Sequence, residues 1–442
     1  MKEERTPFAA AAALLILAGV ALQAWLASRG GIGGDQYVLF DLGLNYLDEG
    51  RLSAVGKGMS GGGFIPGSLL QLLIGVPFSL WHDYRSPVVL IGAFHLLAAV
   101  VSVPAVRQAA GSRAALFFLA VWWLSPWRLY HSGILWEPAY VVLPSALHLL
   151  ACWKLRERPG AAWSAILVAT LVLTFQLHGS FLFLVILTGL LIFRKLVRLQ
   201  WAGGILGAVA GGVTLLPTAA AFLSGTLPSP APSNSFVGYG LVTVVPLLKG
   251  LAYWFRLGSL DIGRRLKGVV FLDEGWHGAG GASFLVKAGV TALVYLSAAS
   301  ILVALAAAWW YFRRSRRNEK RGADWFWLRS YALAAFVSLG IASALSPVTI
   351  QSWHVLIVLP AACLPVALWL DERWPPGNKW VRWALLLFLL LRVPEVIVVG
   401  AGHQAYRLDP NVEAKLQERQ KTLLPEEFLQ RKAPAEPLHP AD

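Results

Sequence analysis

Asp35 follows two glycines and opens a stretch whose apolar positions, Tyr37, Phe40, Leu44 and Leu47, recur at three- and four-residue spacing. Asp41, Asn45, Asp48 and Glu49 fall largely on another side, so the stretch reads as an amphipathic helix lying on a membrane surface. The plainer reading of Asp35 is the N-cap of that helix. Both roles are compatible, because a carboxylate at a helix N-terminus is held ionised by the helix dipole and can act as a base. Further on, residues 125 to 138 place Arg128, Tyr130, His131 and Glu137 between two apolar runs. An acid at the mouth of a membrane helix is costly unless it faces protein, water or a partner, so Glu137 asks for a function.

The elements that must position these groups are apolar. Of 442 residues, 57% are hydrophobic and 14% charged, and the mean hydropathy is +0.59. These values exclude an ordinary soluble domain and point to an all-α polytopic membrane protein. Cys152 and Cys363 both lie in apolar runs, which excludes a disulfide framework and a cysteine metal site. The net charge of +14 is spread over short clusters between the runs, as membrane topology requires and nucleic-acid binding does not.

Eleven candidate spans lie at about 7 to 28, 87 to 106, 114 to 125, 139 to 153, 161 to 177, 180 to 193, 201 to 223, 285 to 312, 325 to 344, 354 to 370 and 380 to 399. The stretches 66 to 81 and 236 to 255 are assigned to the outer surface as juxtamembrane helices. Only then do the basic clusters, including the strongest at 313 to 321, all fall inside. The expected organisation is one transmembrane domain over residues 1 to 400. Its outer loops are at about 29 to 86, 125 to 138 and 224 to 284, and an outer tail, 401 to 442, carries a short helix at 411 to 421 before becoming disordered.

In layout and short motifs the chain resembles the GT-C superfamily of polyprenyl-phosphate-dependent glycosyltransferases, which includes protein O-mannosyltransferases and the lipid A aminoarabinose transferase. Asp35-Gln36-Tyr37 stands at the family's acidic motif and Phe64-Ile65-Pro66-Gly67-Ser68 at its proline motif; Leu124-Ser125-Pro126 ends a span, and Glu137 heads the next. Gln36 replaces a second acid, a single Pro66 replaces a longer motif, and Glu137 replaces an aspartate. The match covers about residues 8 to 200, and later the chain agrees mainly in hydropathy and in Trp353-His354 leading a span.

The resemblance implies transfer of a sugar from a polyprenyl-phosphate donor to a lipid, glycan or protein acceptor, on the outer face of a bacterial inner membrane. Asp35 is then the base and Glu137 its catalytic companion, with Tyr37 beside them as a substrate contact; a divalent metal is left open. Such transfer needs cations for the phosphate. Arg128 is the first choice, since a guanidinium holds phosphate bidentately, with a headgroup or backbone-carbonyl contact as its plainer reading, and Lys57, His131, Arg256 and His354 follow. Nucleic acid is not expected as a partner; membrane lipids are. The alternatives are a multi-span transporter or lipid-linked-sugar flippase, resting on span count, and a glycan polymerase or ligase whose main loop would be 224 to 284.

Overall fold

Each apolar run of the sequence folds as helix, because a backbone in lipid must satisfy its own hydrogen bonds. The computed structural model describes residues 5–29, 34–59, 62–81, 85–228, 244–262, 280–313, 322–346, 348, 350–374 and 379–401. In chain order the first half comprises α1 (Arg5–Arg29), α2 (Gly34–Glu49), a hairpin of β1 (Val55–Gly58) and β2 (Phe64–Pro66), α3 (Leu69–Leu80), α4 (Ser86–Ala110), α5 (Ser112–Trp123) and α6 (Pro126–Ser132). A 3-10 turn (Glu137–Val141), α7 (Val142–Lys154), α8 (Ala161–Phe175), α9 (Phe181–Phe193), α10 (Trp201–Gly212), α11 (Leu216–Leu223) and α12 (Val244–Gly258) follow. The last helices are Gly280–Arg313, Gly322–Ala344, Leu359–Arg373 after a 3-10 segment Ser352–Val358, Lys379–Leu390 and Arg392–Ala401.

The protein is an integral membrane protein. Among the described residues six helical stretches are long and apolar enough to cross a bilayer: Phe8–Ser28, Ser86–Ala110, Trp201–Leu223, Ala288–Arg313, Gly322–Ala344 and Ser352–Arg373. The remaining expected spans are helical but shorter or broken. Within 380 to 399, helix Lys379–Leu390 ends before Arg392–Ala401 begins, and Arg392 returns its Nη1 to the Phe388 carbonyl at 2.8 Å.

The stretch 66 to 81 is too short to span, as expected: it supplies the end of β2 and the 12-residue α3. For 236 to 255 the described part lies in α12. The tail from 402 onward, with its expected helix at 411 to 421, and most of the loop 224 to 284 lie outside the described residues. Residues 125 to 138 comprise α6, a bend at 133 to 136 and the start of the 3-10 turn, and all of them are buried.

Close helix approaches lock the frame around the candidate site. α2 crosses α3 where a Cβ on Gly43 would meet Ile74 at 2.5 Å and one on Gly75 would meet the Gly43 carbonyl at 2.8 Å. α10 lies against α8 through Gly203 and Gly207, whose missing side chains let the Ala161 and Ala165 carbonyls approach. Polar clamps then fasten the end of the hairpin to the segment that follows α10, the 3-10 turn Val213–Leu215 and α11. Gly67 N–H donates to Thr218 Oγ1 at 2.8 Å and Ser68 N–H to the Thr214 carbonyl at 2.9 Å. Gly67 has φ +87°, and a Cβ there would sit 2.3 Å from Gln176 Oε1, so this corner requires glycine.

Candidate active site

Lys57 is the group around which the polar residues gather. It projects from β1, whose entry is pinned by buried Gln71 of α3: Oε1 accepts from Ser53 N–H at 2.7 Å and Nε2 donates to the Arg51 carbonyl at 3.3 Å. The ammonium lies 3.2 Å from Asp35 Oδ1 and 3.2 Å from Glu137 Oε1, so a single cation bridges two carboxylates far apart in sequence. Their surroundings differ sharply. The Asp35 side chain is 61% exposed, in the first turn of α2, whereas that of Glu137 is 11% exposed, at the head of the 3-10 turn. Burial pushes the Glu137 carboxyl above the ordinary carboxylate range, with the Lys57 charge pulling the other way.

Two imidazoles adjoin this cluster. His178 sits in the turn between α8 and α9, within electrostatic range of Lys57, with its ring 5.6 Å from that of His354. Ser180 N–H donates to His178 Nδ1 at 3.1 Å, and Gln351 N–H donates to His354 Nδ1 at 3.1 Å. A backbone N–H can only donate, so in the neutral rings Nδ1 is the acceptor and Nε2 carries the proton. Both histidines thus present an Nε2–H donor.

Burial, followed by the charges of His354 and Lys57, lowers the His178 pKa to about 3. Between pH 6.5 and about 3 the unfolded chain therefore takes up a proton that native His178 refuses, and the fold loses stability as pH falls through that window. Thermal unfolding compared at pH 7 and pH 5 is expected to show a smaller acid-induced drop for His178→Gln than for wild type; equal drops would remove His178 as the cause.

An aromatic row continues from His354 through Trp353 at 5.5 Å, Trp136 at 4.9 Å from Trp353, His131 at 5.8 Å from Trp136, and Trp127 at 6.4 Å from His131. His131 is accordingly a stacking member of this row. Arg256 caps its far end, 5.3 Å over Trp127, with its Nε on the Asp261 carboxylate. Tyr37 lies half-buried two residues beyond Asp35, packed against the core.

Arg128, first choice for the phosphate from sequence, is fully buried and turned toward the helix frame. Its Nε donates to the Trp123 carbonyl and its Nη1 to Gln23 Oε1 at 3.0 Å, while the guanidinium lies 3.6 Å from the Trp123 ring centroid. Trp123 ends α5, where carbonyls lack intrahelical partners, and Arg128 fills one of them. The structure therefore gathers Asp35, Lys57, Glu137 and His354 with His178, and shows Arg128 and Arg256 engaged elsewhere. Two contributors carry faint sequence signals: His178, a histidine at a turn between spans, and Lys249 of α12, whose charge reaches His354.

A divalent ion held by both acids would need their oxygens at about 2.0–2.6 Å. The Lys57 ammonium stands between those acids, Gln36 occupies the place of a second acid in the motif, and no group of three His, Cys, Asp or Glu side chains suited to a metal gathers among the described residues. The residues do not fit a divalent ion, and no chemical step is routed through one. Chelation with EDTA is expected to leave activity unchanged; loss on chelation with recovery on adding Mg²⁺ or Mn²⁺ would contradict this.

No protein-family model and no curated protein matches the chain. Similar solved structures exist. ArnT from Cupriavidus metallidurans bound to undecaprenyl phosphate shares 15% identity over 92% of this chain and 76% of that one, with a TM-score of 0.49. Its apo state shares 14% over 91% and 75%, also at 0.49. The Archaeoglobus fulgidus oligosaccharyltransferase in complex with Zn and sulfate shares 13% over 97% of this chain and 58% of that one, again at 0.49.

Proposed function

We propose that this protein is an integral-membrane glycosyltransferase that moves a sugar from a polyprenyl-phosphate donor to a lipid, glycan or protein acceptor, acting on the outer face of a bacterial inner membrane. The observation that carries this reading is the single ammonium held between an exposed and a buried carboxylate. In the proposed reaction Asp35 takes the proton of the acceptor hydroxyl as its oxygen attacks the sugar carbon. The bond from that carbon to the donor phosphate breaks, and the phosphate leaves with the electron pair. Lys57 meets the charge that develops on the leaving phosphate, and Glu137 keeps the ammonium aimed. The Nε2–H groups of His178 and His354 supply neutral donors for phosphate or sugar oxygens, and the row from Trp353 to Trp136 offers a face for a sugar ring. The test is consumption of a labelled polyprenyl-phosphate sugar by purified protein, with parallel appearance of labelled acceptor.

A transporter remains the second reading for one reason: Arg392 and Glu395 are buried in the last membrane segment, away from this cluster. Ionisable groups inside a membrane bundle commonly mark a transport path. Under that reading labelled donor crosses the bilayer unconsumed, and substitutions at Arg392 and Glu395 outweigh those at Asp35.

A further inference from the structure

α7 begins five residues after Glu137 and ends at Lys154, so its 13 residues put Lys154 about 20 Å from the candidate site, toward the other membrane face. α4 ends at the same level with Arg107 and Gln108 in its last turn. Two cavities meet there. One, of about 710 Å³, is a groove along the spanning parts of α1 and α4, walled by Ala12, Ile16, Val100, Val103 and Leu119 and closed at one end by Arg107 and Gln108. The other, of about 620 Å³, is polar and is lined by Gln108, Lys154, Arg156, Arg158 and Trp163. Gln108 belongs to both, and its side chain is fixed by Trp153 Nε1, which donates to Oε1 at 2.9 Å. That leaves the Gln108 amide nitrogen as a donor at the junction.

The charges of the polar cavity do not cancel. Arg156 is bonded to Glu157 at 2.8 Å and to Asp324 at 3.0 Å, and Glu157 is the only acid in the cavity wall. Lys154 and Arg158 have no carboxylate partner among the described residues. An apolar groove inside the hydrocarbon layer thus shares a wall residue, Gln108, with a cationic cavity at the interface. The occupant complementary to both halves is amphiphilic and anionic at one end.

We propose that this is a binding site for an anionic phospholipid of the leaflet opposite the candidate active site, with an acyl chain along the groove between α1 and α4 and the phosphate at Lys154 and Arg158. A basic pocket between membrane helices is a known form of headgroup recognition, and each volume lies within the range of about 300–1,000 Å³ usual for ligand sites.

The test is native mass spectrometry of the delipidated full chain, titrated with phosphatidylglycerol or with phosphatidylcholine of identical acyl chains. Phosphatidylglycerol is expected to be retained about tenfold more tightly. Lys154→Gln with Arg158→Gln is expected to erase that preference while leaving phosphatidylcholine retention unchanged. Val103→Trp, which fills the groove, is expected to weaken retention of both lipids. Should the double variant fail to purify, Lys154→Gln alone is expected to lower the preference severalfold. Equal retention of the two lipids by wild type, or a preference untouched by these substitutions, would overturn the proposal. So would displacement of bound lipid by soluble glycerol phosphate, or a dimer in the same spectra that Val103→Trp dissociates.

Discussion

Asp35→Asn is expected to lower sugar transfer by about a hundred- to ten-thousand-fold, the usual loss when a general base is removed. The substitution keeps size and polarity and removes only the ability to take a proton. Since the Asp35 side chain is 61% exposed at the start of α2, thermal unfolding and membrane insertion are expected to stay as in wild type. Transfer rates in membranes at matched expression check this, and a well-folded Asn variant with unreduced transfer would remove Asp35 from the chemistry.

Lys57→Met is expected to lower activity severely too and, unlike Asp35→Asn, to cost stability as well. Removing a preorganised charge from a developing anion typically lowers rates about a hundred- to a thousand-fold. The stability cost arises at Glu137, which is buried and would lose the cation bonded to both of its oxygens, at 3.2 and 3.4 Å. Leaving such a group without a partner costs about 1–3 kcal/mol. Adding Glu137→Gln to Lys57→Met is expected to restore the melting temperature without restoring transfer, because the neutral amide tolerates burial but supplies no cation. Thermal unfolding of the two single variants and the double variant, alongside transfer rates, separates the roles. A double variant that recovers transfer would reduce Lys57 to a structural counterion.

Much of the architecture was legible in the sequence because hydrophobic periodicity controls it. The spacing of Tyr37, Phe40, Leu44 and Leu47 predicted α2, and Asp35 falls in its first turn. Every expected span is helical, although the count of eleven exceeds the six stretches that reach spanning length among the described residues, because α5, α7, α8, α9 and the two helices within 380 to 399 are each too short alone. The site was only partly legible. Asp35, Lys57 and Glu137 were all named as candidates, but nothing local in the sequence shows that a hairpin across a glycine-rich segment brings Lys57 to acids 22 residues before and 80 after it.

Arg128 was weighed between a phosphate and a headgroup or carbonyl contact, and it is a carbonyl that it meets. A cation between two spans suggests phosphate, yet the break after Trp123 leaves a carbonyl that needs a donor, and the guanidinium also stacks well on indole. The pairing of His178 with His354 is a tertiary meeting of two turns and has no sequence signature. Glycines at 203, 207 and 211 lie opposite alanines at 161, 165 and 169 in the α8–α10 contact, a small-residue spacing that the sequence reading did not use.

The most direct test of the proposed chemistry is release of free polyprenyl phosphate. Purified protein in liposomes would be given a panel of radiolabelled polyprenyl-phosphate sugars with candidate acceptors, with Asp35→Asn and Lys57→Met run in parallel. Wild type is predicted to release polyprenyl phosphate and label an acceptor with at least one donor, and both variants are predicted to leave that donor intact. Donor that stays intact with wild type while moving between leaflets would contradict the account and favour transport.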